Sequence, residues 1–417
     1  MVAFLIQNRV SASKLTIKPI DEKTLILSPK AIEYETFWEA MENIDFGYLK
    51  EYKINGDQLC FAEALKLAVD GNIEEAENKF RKLYISSDDS LIKKHSKEIL
   101  GNLLLFQSKW KALLKLPKDA DDTIYNNIKL IEVFSKSHKE SYSFPTHSTI
   151  IPMGLSLSGC PVIEVEINGH KMKFWIDTGA GLSVVASDIA KKCNIISTST
   201  GKIKAGTGTS KKVDIQPAII EDLRIGEISI KNHPVIIIDK KDLEFKLFGL
   251  FRIMKINGII GWNAMQNMNI EIDYNNRITT IRKPIKMDKQ NPNFFWLGYP
   301  IVTLMNQEGT KLNFGLDTGA RKTSITDNIL KKINVNNVRI KKKTIGSAGG
   351  IEKIESKIIP ELTLILNGYS FHFNDIGTRL GRSAVFVKLD GILGSDVFRN
   401  GRVKIDYLNG MLEIEND

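Results

Sequence analysis

Cysteine is scarce in these 417 residues, with three at Cys60, Cys160 and Cys193. Three are too few and too scattered for a disulfide framework, and buried free thiols are expected instead. The six histidines stand apart and no HExxH occurs, so neither a metal site nor another cofactor is expected. No run approaches the ~18–20 apolar residues of a membrane span, and none is expected. Lysine plus arginine exceeds aspartate plus glutamate by 58 to 49, a net charge of +9. The basic residues are spread through every region, and no basic run is interleaved with aromatics, so no nucleic-acid partner is expected. Lys331-Lys332 and Lys341-Lys342-Lys343 read as solvated surface. Met1-Val2-Ala3-Phe4-Leu5-Ile6 is apolar but short and lacks a basic flank. With Ser11-Ala12-Ser13 behind it, this stretch reads as the tail of an export signal or as a first strand, with a lean to an extracytoplasmic over a cytoplasmic protein. The remainder, 42% apolar and 26% charged, has the composition of a globular chain with room for two or three domains.

What the sequence does have is Asp-Thr-Gly-Ala twice, at Asp177-Thr178-Gly179-Ala180 and at Asp317-Thr318-Gly319-Ala320. Each ends an apolar strand-like run, Lys173-Phe174-Trp175-Ile176 or Asn313-Phe314-Gly315-Leu316. Each is preceded by an alternating strand and a turn signal, from Pro161 to Gly169 and from Pro300 to Gly309. The second hairpin holds one extra turn residue. Helix-like pieces follow, Ser187 to Cys193 and Thr326 to Ile333. Small-residue turns come next, Ala205-Gly206-Thr207-Gly208 and Ile345-Gly346-Ser347-Ala348-Gly349-Gly350. Each copy closes on an apolar-Gly strand, Gly258-Ile259-Ile260-Gly261 or Gly391-Ile392-Leu393-Gly394, and then on Ile272-Asp273-Tyr274 or Ile405-Asp406-Tyr407. A repeat of roughly 130–140 residues is far longer than a solenoid unit, so each copy is expected to be a small domain. Asp273 and Asp406 are expected to end surface strands. Two carboxylates on matching turns suit acid–base hydrolysis, in which one ionised carboxylate takes a proton from water while its protonated partner polarises a carbonyl.

The order of strand, DTGA, Gly-rich turn and apolar-apolar-Gly strand resembles the retropepsin-like aspartic proteases, over roughly residues 155–417. Retropepsins build one site from two identical chains, whereas both aspartates here lie on one chain, as in pepsin-like enzymes. The resemblance implies a bilobal all-β fold with Asp177 and Asp317 as a catalytic dyad sharing one proton. It implies that Thr178 and Thr318 bond across the lobes, and that Gly179 and Gly319 allow the tight turns. It also implies flaps at Gly206, Thr207 and Gly208 and at Gly346, Ser347 and Gly349, although neither contains the Tyr of a pepsin-like flap. Gly261 and Gly394 would lie in strands supporting the aspartate loops. Ala180 and Ala320 stand where pepsin-like enzymes carry a hydroxyl, so the dyad is expected to titrate at higher pH.

Residues 30–135 read as helical. Ala64, Leu67, Gly71, Ala76 and Phe80 fall at tetratricopeptide spacings, with a looser second copy around Leu100 to Leu113; an unrelated bundle fits equally well. Ser137 to Pro161 reads as a linker. Around Pro284 to Pro300, the aromatics Phe294, Phe295, Trp296 and Tyr299 read as core between lobes. The expected organisation is multidomain α+β: a helical region at 1–147, one protease lobe at 148–286 and a second at 287–417. A chain starting near residue 148 is expected to fold alone. The function expected is a monomeric aspartic endopeptidase acting on polypeptides, with a helical region able to hold a protein partner. The runner-up is a catalytically silent peptide-binding module on the same scaffold.

Overall fold

The computed structural model describes residues 14–20, 32–47, 49, 53–117, 128–197, 203–247, 251–287, 292–379 and 386–416. The apolar N-terminal run and Ser11-Ala12-Ser13 lie outside them. The fold is mostly β, with helices gathered in the N-terminal third. Pro161–Ile167 buries Pro161, Ile163, Val165 and Ile167 on one face, the period-2 pattern of a half-covered strand. It pairs antiparallel with His170–Ile176. The turn between them is Asn168-Gly169, with φ of 47° and 83°. That left-handed pair is what a two-residue hairpin demands. In the second copy Pro300–Asn306 pairs with Lys311–Leu316, and the extra residue is taken up in the 307–310 turn. There the Asn306 side chain accepts from Glu308 N and Thr310 N.

These hairpins belong to two sheets of 13 and 9 strands. In each, the apolar-Gly strand slots in parallel beside the aspartate-bearing strand: Ile260 opposite Ile176, and Leu393 opposite Leu316. The larger sheet crosses the repeat, because Asn269–Asp273 of the first copy pairs with Gly401–Asp406 of the second. Asp273 and Asp406 do end these strands, but they are buried rather than at the surface. Each carboxylate accepts both the backbone and side-chain N–H groups of an asparagine three residues on, Asn276 or Asn409, and so ties down its own turn.

The helical region opens with Phe37–Glu42, and a capping box, Asn55 with Gln58, heads Gly56–Val69. Gly71 breaks the run at φ 75°, and Ile73–Ser86 returns antiparallel, Phe61 meeting Phe80 edge-on at 5.5 Å. Ser90–Phe106, Trp110–Leu114 and Ile128–Lys136 follow in the helical layer. This layer is not a detached unit. Phe106 stacks on Trp296 at 4.5 Å, Phe386 packs edge-on against Phe61 and His95, and Asn313 Nδ2 donates to Asn43 O. The strand Lys14–Pro19, expected with the N-terminal region, adds to the smaller sheet along Tyr369–Gly377.

Two further expectations change. The stretch read as a linker contributes strands Ser141–Ser143 and Thr149–Leu155. Its alternation was hidden because polar Thr149 points inward while apolar Ile150 points out. The piece 326–333 forms a single 3₁₀ turn, Ile329–Lys331, where its counterpart Ser187–Lys192 is an α-helix. The Thr326 hydroxyl donates to Leu389 O, and Asn328 Nδ2 donates to Asn43 Oδ1 and Asp390 Oδ1. Such side-chain bonds compete with helix formation.

Candidate active site

Each DTGA turn is held in the same way. Asp177 N donates to Ile260 O at 3.2 Å, and Asp317 N to Leu393 O at 3.0 Å. Behind them, Trp262 N bonds Ala180 O, and Ser395 N bonds Ala320 O. A Cβ on Gly261 would lie 2.5 Å from the Leu182 backbone, and one on Gly394 2.5 Å from that of Lys322. The apolar-Gly strands therefore run too close to the aspartate loops for any side chain there. Ser183 and Thr323 repeat a brace: their hydroxyls accept from Gly261 N and Gly394 N and donate to Asn263 and Asp396.

The two turns meet, and the threonines join them. Thr178 Oγ1 donates to Leu316 O and Thr318 Oγ1 to Ile176 O, both at 2.8 Å. Thr318 N donates back to Thr178 Oγ1 at 3.0 Å, and Thr178 N to Thr318 Oγ1 at 3.1 Å. All four bonds are buried and reciprocal, spanning 138 to 142 residues of chain. The glycines then bring the carboxylates together. A Cβ on Gly319 would fall 2.5 Å from the Asp177 carboxylate, and one on Gly179 2.7 Å from Asp317 Cγ.

Both carboxyls are fully buried. Burial first, and then the Asp317 charge, push Asp177 well above the usual carboxylate range. Burial also raises Asp317, opposed by the charge of Arg379 and by hydrogen bonds from Ala320 N, Asp177 and Tyr299. Asp177 Oδ1 accepts from Gly179 N at 2.9 Å, while its Oδ2 has no donor among the described residues. Asp317 Oδ1 accepts from Ala320 N at 2.8 Å, and its Oδ2 from Tyr299 Oη at 3.3 Å.

Residues 163–253 match the family model described as "gag-polyprotein putative aspartyl protease". The matched stretch carries the first DTGA and the first Gly-rich turn. Among solved structures, a retropepsin-like aspartic protease from Rickettsia conorii aligns at 18% identity with a TM-score of 0.25, covering 35% of this chain and 96% of that one. No curated protein matches the chain.

The Gly-rich turns are hairpin tips, Ile203–Gly206 turning into Lys212–Ile225 and Arg339–Ser347 into Gly350–Leu366. Ala348 and Gly349 form the second turn, Gly349 at φ 84°, and Gly350, at φ 118°, opens the return strand opposite Ser347. The tips touch each other: Gly208 N donates to Ser347 Oγ at 2.8 Å, and Lys211 Nζ to Gly349 O at 3.3 Å. Ser210 N and Oγ both donate to the Glu352 carboxylate. Thr207 Oγ1 donates to Lys211 O within its own tip; Gly206 ends the first strand leading in, and Gly346 is the last residue but one of the second.

Two neighbours of the dyad were not found from sequence. Tyr299, read as core, is buried and also holds Asp317, so one hydroxyl does reach the dyad despite Ala180 and Ala320. The signal was its place immediately ahead of the proline that opens the second copy. Arg379 is fixed by its backbone N–H on Ile325 O, and its buried Nη1 has no partner among the described residues. A third arrangement resembles a nucleophilic triad: Ser183 Oγ lies 2.8 Å from His233 Nε2, whose Nδ1 meets Glu140. It is a brace, because Ser183 and His233 are fully buried and the serine already donates to Asn263 Oδ1. No helix among the described residues is long and apolar enough to cross a membrane, and those residues hold no group of three metal-binding side chains.

Proposed function

We propose that this chain is an aspartic endopeptidase, with both halves of an intramolecular pseudo-dimer supplying one site. The observation that carries the reading is the reciprocal threonine and glycine contact, which brings Asp177 and Asp317 together from two copies of one motif. Two buried carboxylates at such separation cannot both ionise, so they hold one proton between them. A water bound by the pair loses a proton to the ionised aspartate, and its oxygen attacks the peptide carbonyl. The protonated aspartate donates to the carbonyl oxygen, giving a neutral gem-diol. Collapse breaks the C–N bond, the amine takes the proton that came from water, and a gem-diol hydroxyl returns the other. No covalent intermediate forms and no cofactor is needed.

Thr178 and Thr318 keep the two loops in register, and Gly179 and Gly319 allow the close approach. The hairpin tips at Gly206, Thr207 and Gly208 and at Gly346, Ser347 and Gly349 act as flaps, which must part to admit an extended polypeptide and then close to exclude water. The helical layer, a tetratricopeptide-like platform in this reading, serves to present protein substrates.

The test is incubation with a diverse peptide library, read by mass spectrometry, beside Asp177→Asn. The reading expects endoproteolytic cuts by the wild type that vanish in the variant. Peptide binding without cuts at any pH from 3 to 8 would favour a silent peptide-binding module instead.

A further inference from the structure

The two copies differ around their aspartates. The residue ahead of the proline opening each copy is Cys160 in the first and Tyr299 in the second. Tyr299 Oη donates to Asp317 Oδ2 at 3.3 Å. Its ring packs where a Cβ on Gly315 would fall, and its oxygen lies where a Cβ on Gly179 would fall. It thus touches both aspartate loops. Cys160 Sγ turns away to the carbonyls of Ile176 and Pro161, at 3.4 and 3.6 Å, and gives Asp177 no donor. Asp317 therefore accepts at both oxygens, while Asp177 accepts at Oδ1 and, among the described residues, has no donor to Oδ2.

Taking Asp177 and Asp317 as one catalytic dyad, the reading on which this inference rests, we propose that the Tyr299 phenol divides their labour. It holds Asp317 as the ionised base and leaves Asp177 Oδ2 to carry the shared proton as the acid. A hydrogen bond to a carboxylate favours its charged form, whereas a carboxyl oxygen without a donor is where a proton costs least. In the reaction, Asp317 takes the proton from water and later passes it to the leaving amine, and Asp177 protonates the carbonyl oxygen and recovers that proton on collapse. Tyr299 keeps its own proton, because burial and the Asp317 charge push its phenol well above the usual tyrosine range. The other ionisable groups acting here point the same way. The Arg379 charge favours ionised Asp317, and burial keeps the Cys160 thiol protonated.

Tyr299→Phe removes the hydroxyl and keeps the ring, so the packing against Gly315 remains. The pH–kcat profile should be bell-shaped, its acid limb reporting ionisation of the base. Losing a donor to that base should move the acid limb up by about one pH unit, since hydrogen bonds to charged groups correspond to roughly one to two units. Below the wild-type acid limb, kcat should fall about tenfold with KM unchanged. Cys160→Ala, at the matching position, should leave the acid limb in place. Carbon-13 titration of the aspartate carboxyls, assigned with Asp177→Asn and Asp317→Asn, reads the same assignment without turnover. Its lower step should belong to Asp317 and rise in Tyr299→Phe. A lower step on Asp177, or one that Tyr299→Phe leaves unmoved, overturns the proposal. If the wild type cleaves nothing, the protease reading falls while the carboxyl titration still decides the role of Tyr299.

Discussion

Thr318→Val is the sharpest test of the junction between the two copies. Valine matches threonine in shape, so no cavity opens, but two buried bonds go: Thr318 Oγ1 to Ile176 O, and Thr178 N to Thr318 Oγ1. The Thr178 N–H then has no acceptor, and a buried polar group left unpaired costs about 1–3 kcal/mol. The Ile176 carbonyl keeps the weak thiol donor of Cys160 at 3.4 Å, so its loss sits at the lower end of that range. The sum is about 2–4 kcal/mol, read as a lower urea midpoint at unchanged m-value. Thr318→Ser restores the hydroxyl and should recover most of the loss. Thr178→Val removes the other two bonds. The double variant should lose less than the two single losses together, because either change frees both loops. A Thr318→Val midpoint within about 0.5 kcal/mol of wild type, or strict additivity in the double variant, would refute the reasoning.

The same geometry has other consequences. Asp177 titrates above its unfolded value, so its contribution to stability is complete below the ordinary carboxylate range and is lost as pH rises through the folded value. Asp177→Asn should therefore melt higher than wild type at pH 7, by about 1.4 kcal/mol for each unit of the shift, with the gain vanishing below about pH 4 in calorimetric scans. Gly319→Ala places a Cβ 2.5 Å from the Asp177 carboxylate and should cut kcat by about 10²-fold with the fold intact by circular dichroism. A chain starting at residue 148 uncovers Trp296 and frees the sheet edge at Tyr369–Gly377, so it should self-associate in light scattering; a stable monomer would contradict the packing described.

Much of the aspartate apparatus was legible in the sequence because it is written twice. The two DTGA turns, their hairpins and their apolar-Gly strands fall where the repeat puts them, since each is a local pattern with a fixed period. What was not legible depends on partners distant in the chain. Tyr299 read as core because its place ahead of Pro300 is filled by Cys160 in the first copy and so does not repeat, and Arg379 has no motif at all. Thr149–Leu155 looked like linker because its alternation appears only once the neighbouring strands show which face is covered. The helical region looked separate because a composition break at Ser137 cannot reveal that Phe106 lies on Trp296. Lys14–Pro19 gave no hint of a sheet partner more than 300 residues away.

The central claim is that one dyad, built from both copies, hydrolyses peptides. The most direct measurement is single-turnover cleavage of a peptide found in the library, by wild type, Asp177→Asn, Asp317→Asn and the double variant, each verified as folded. The account predicts that each single variant falls to the same background as the double variant, since both carboxylates act in one step. Substantial cleavage by either single variant, or losses that multiply in the double variant, would contradict it.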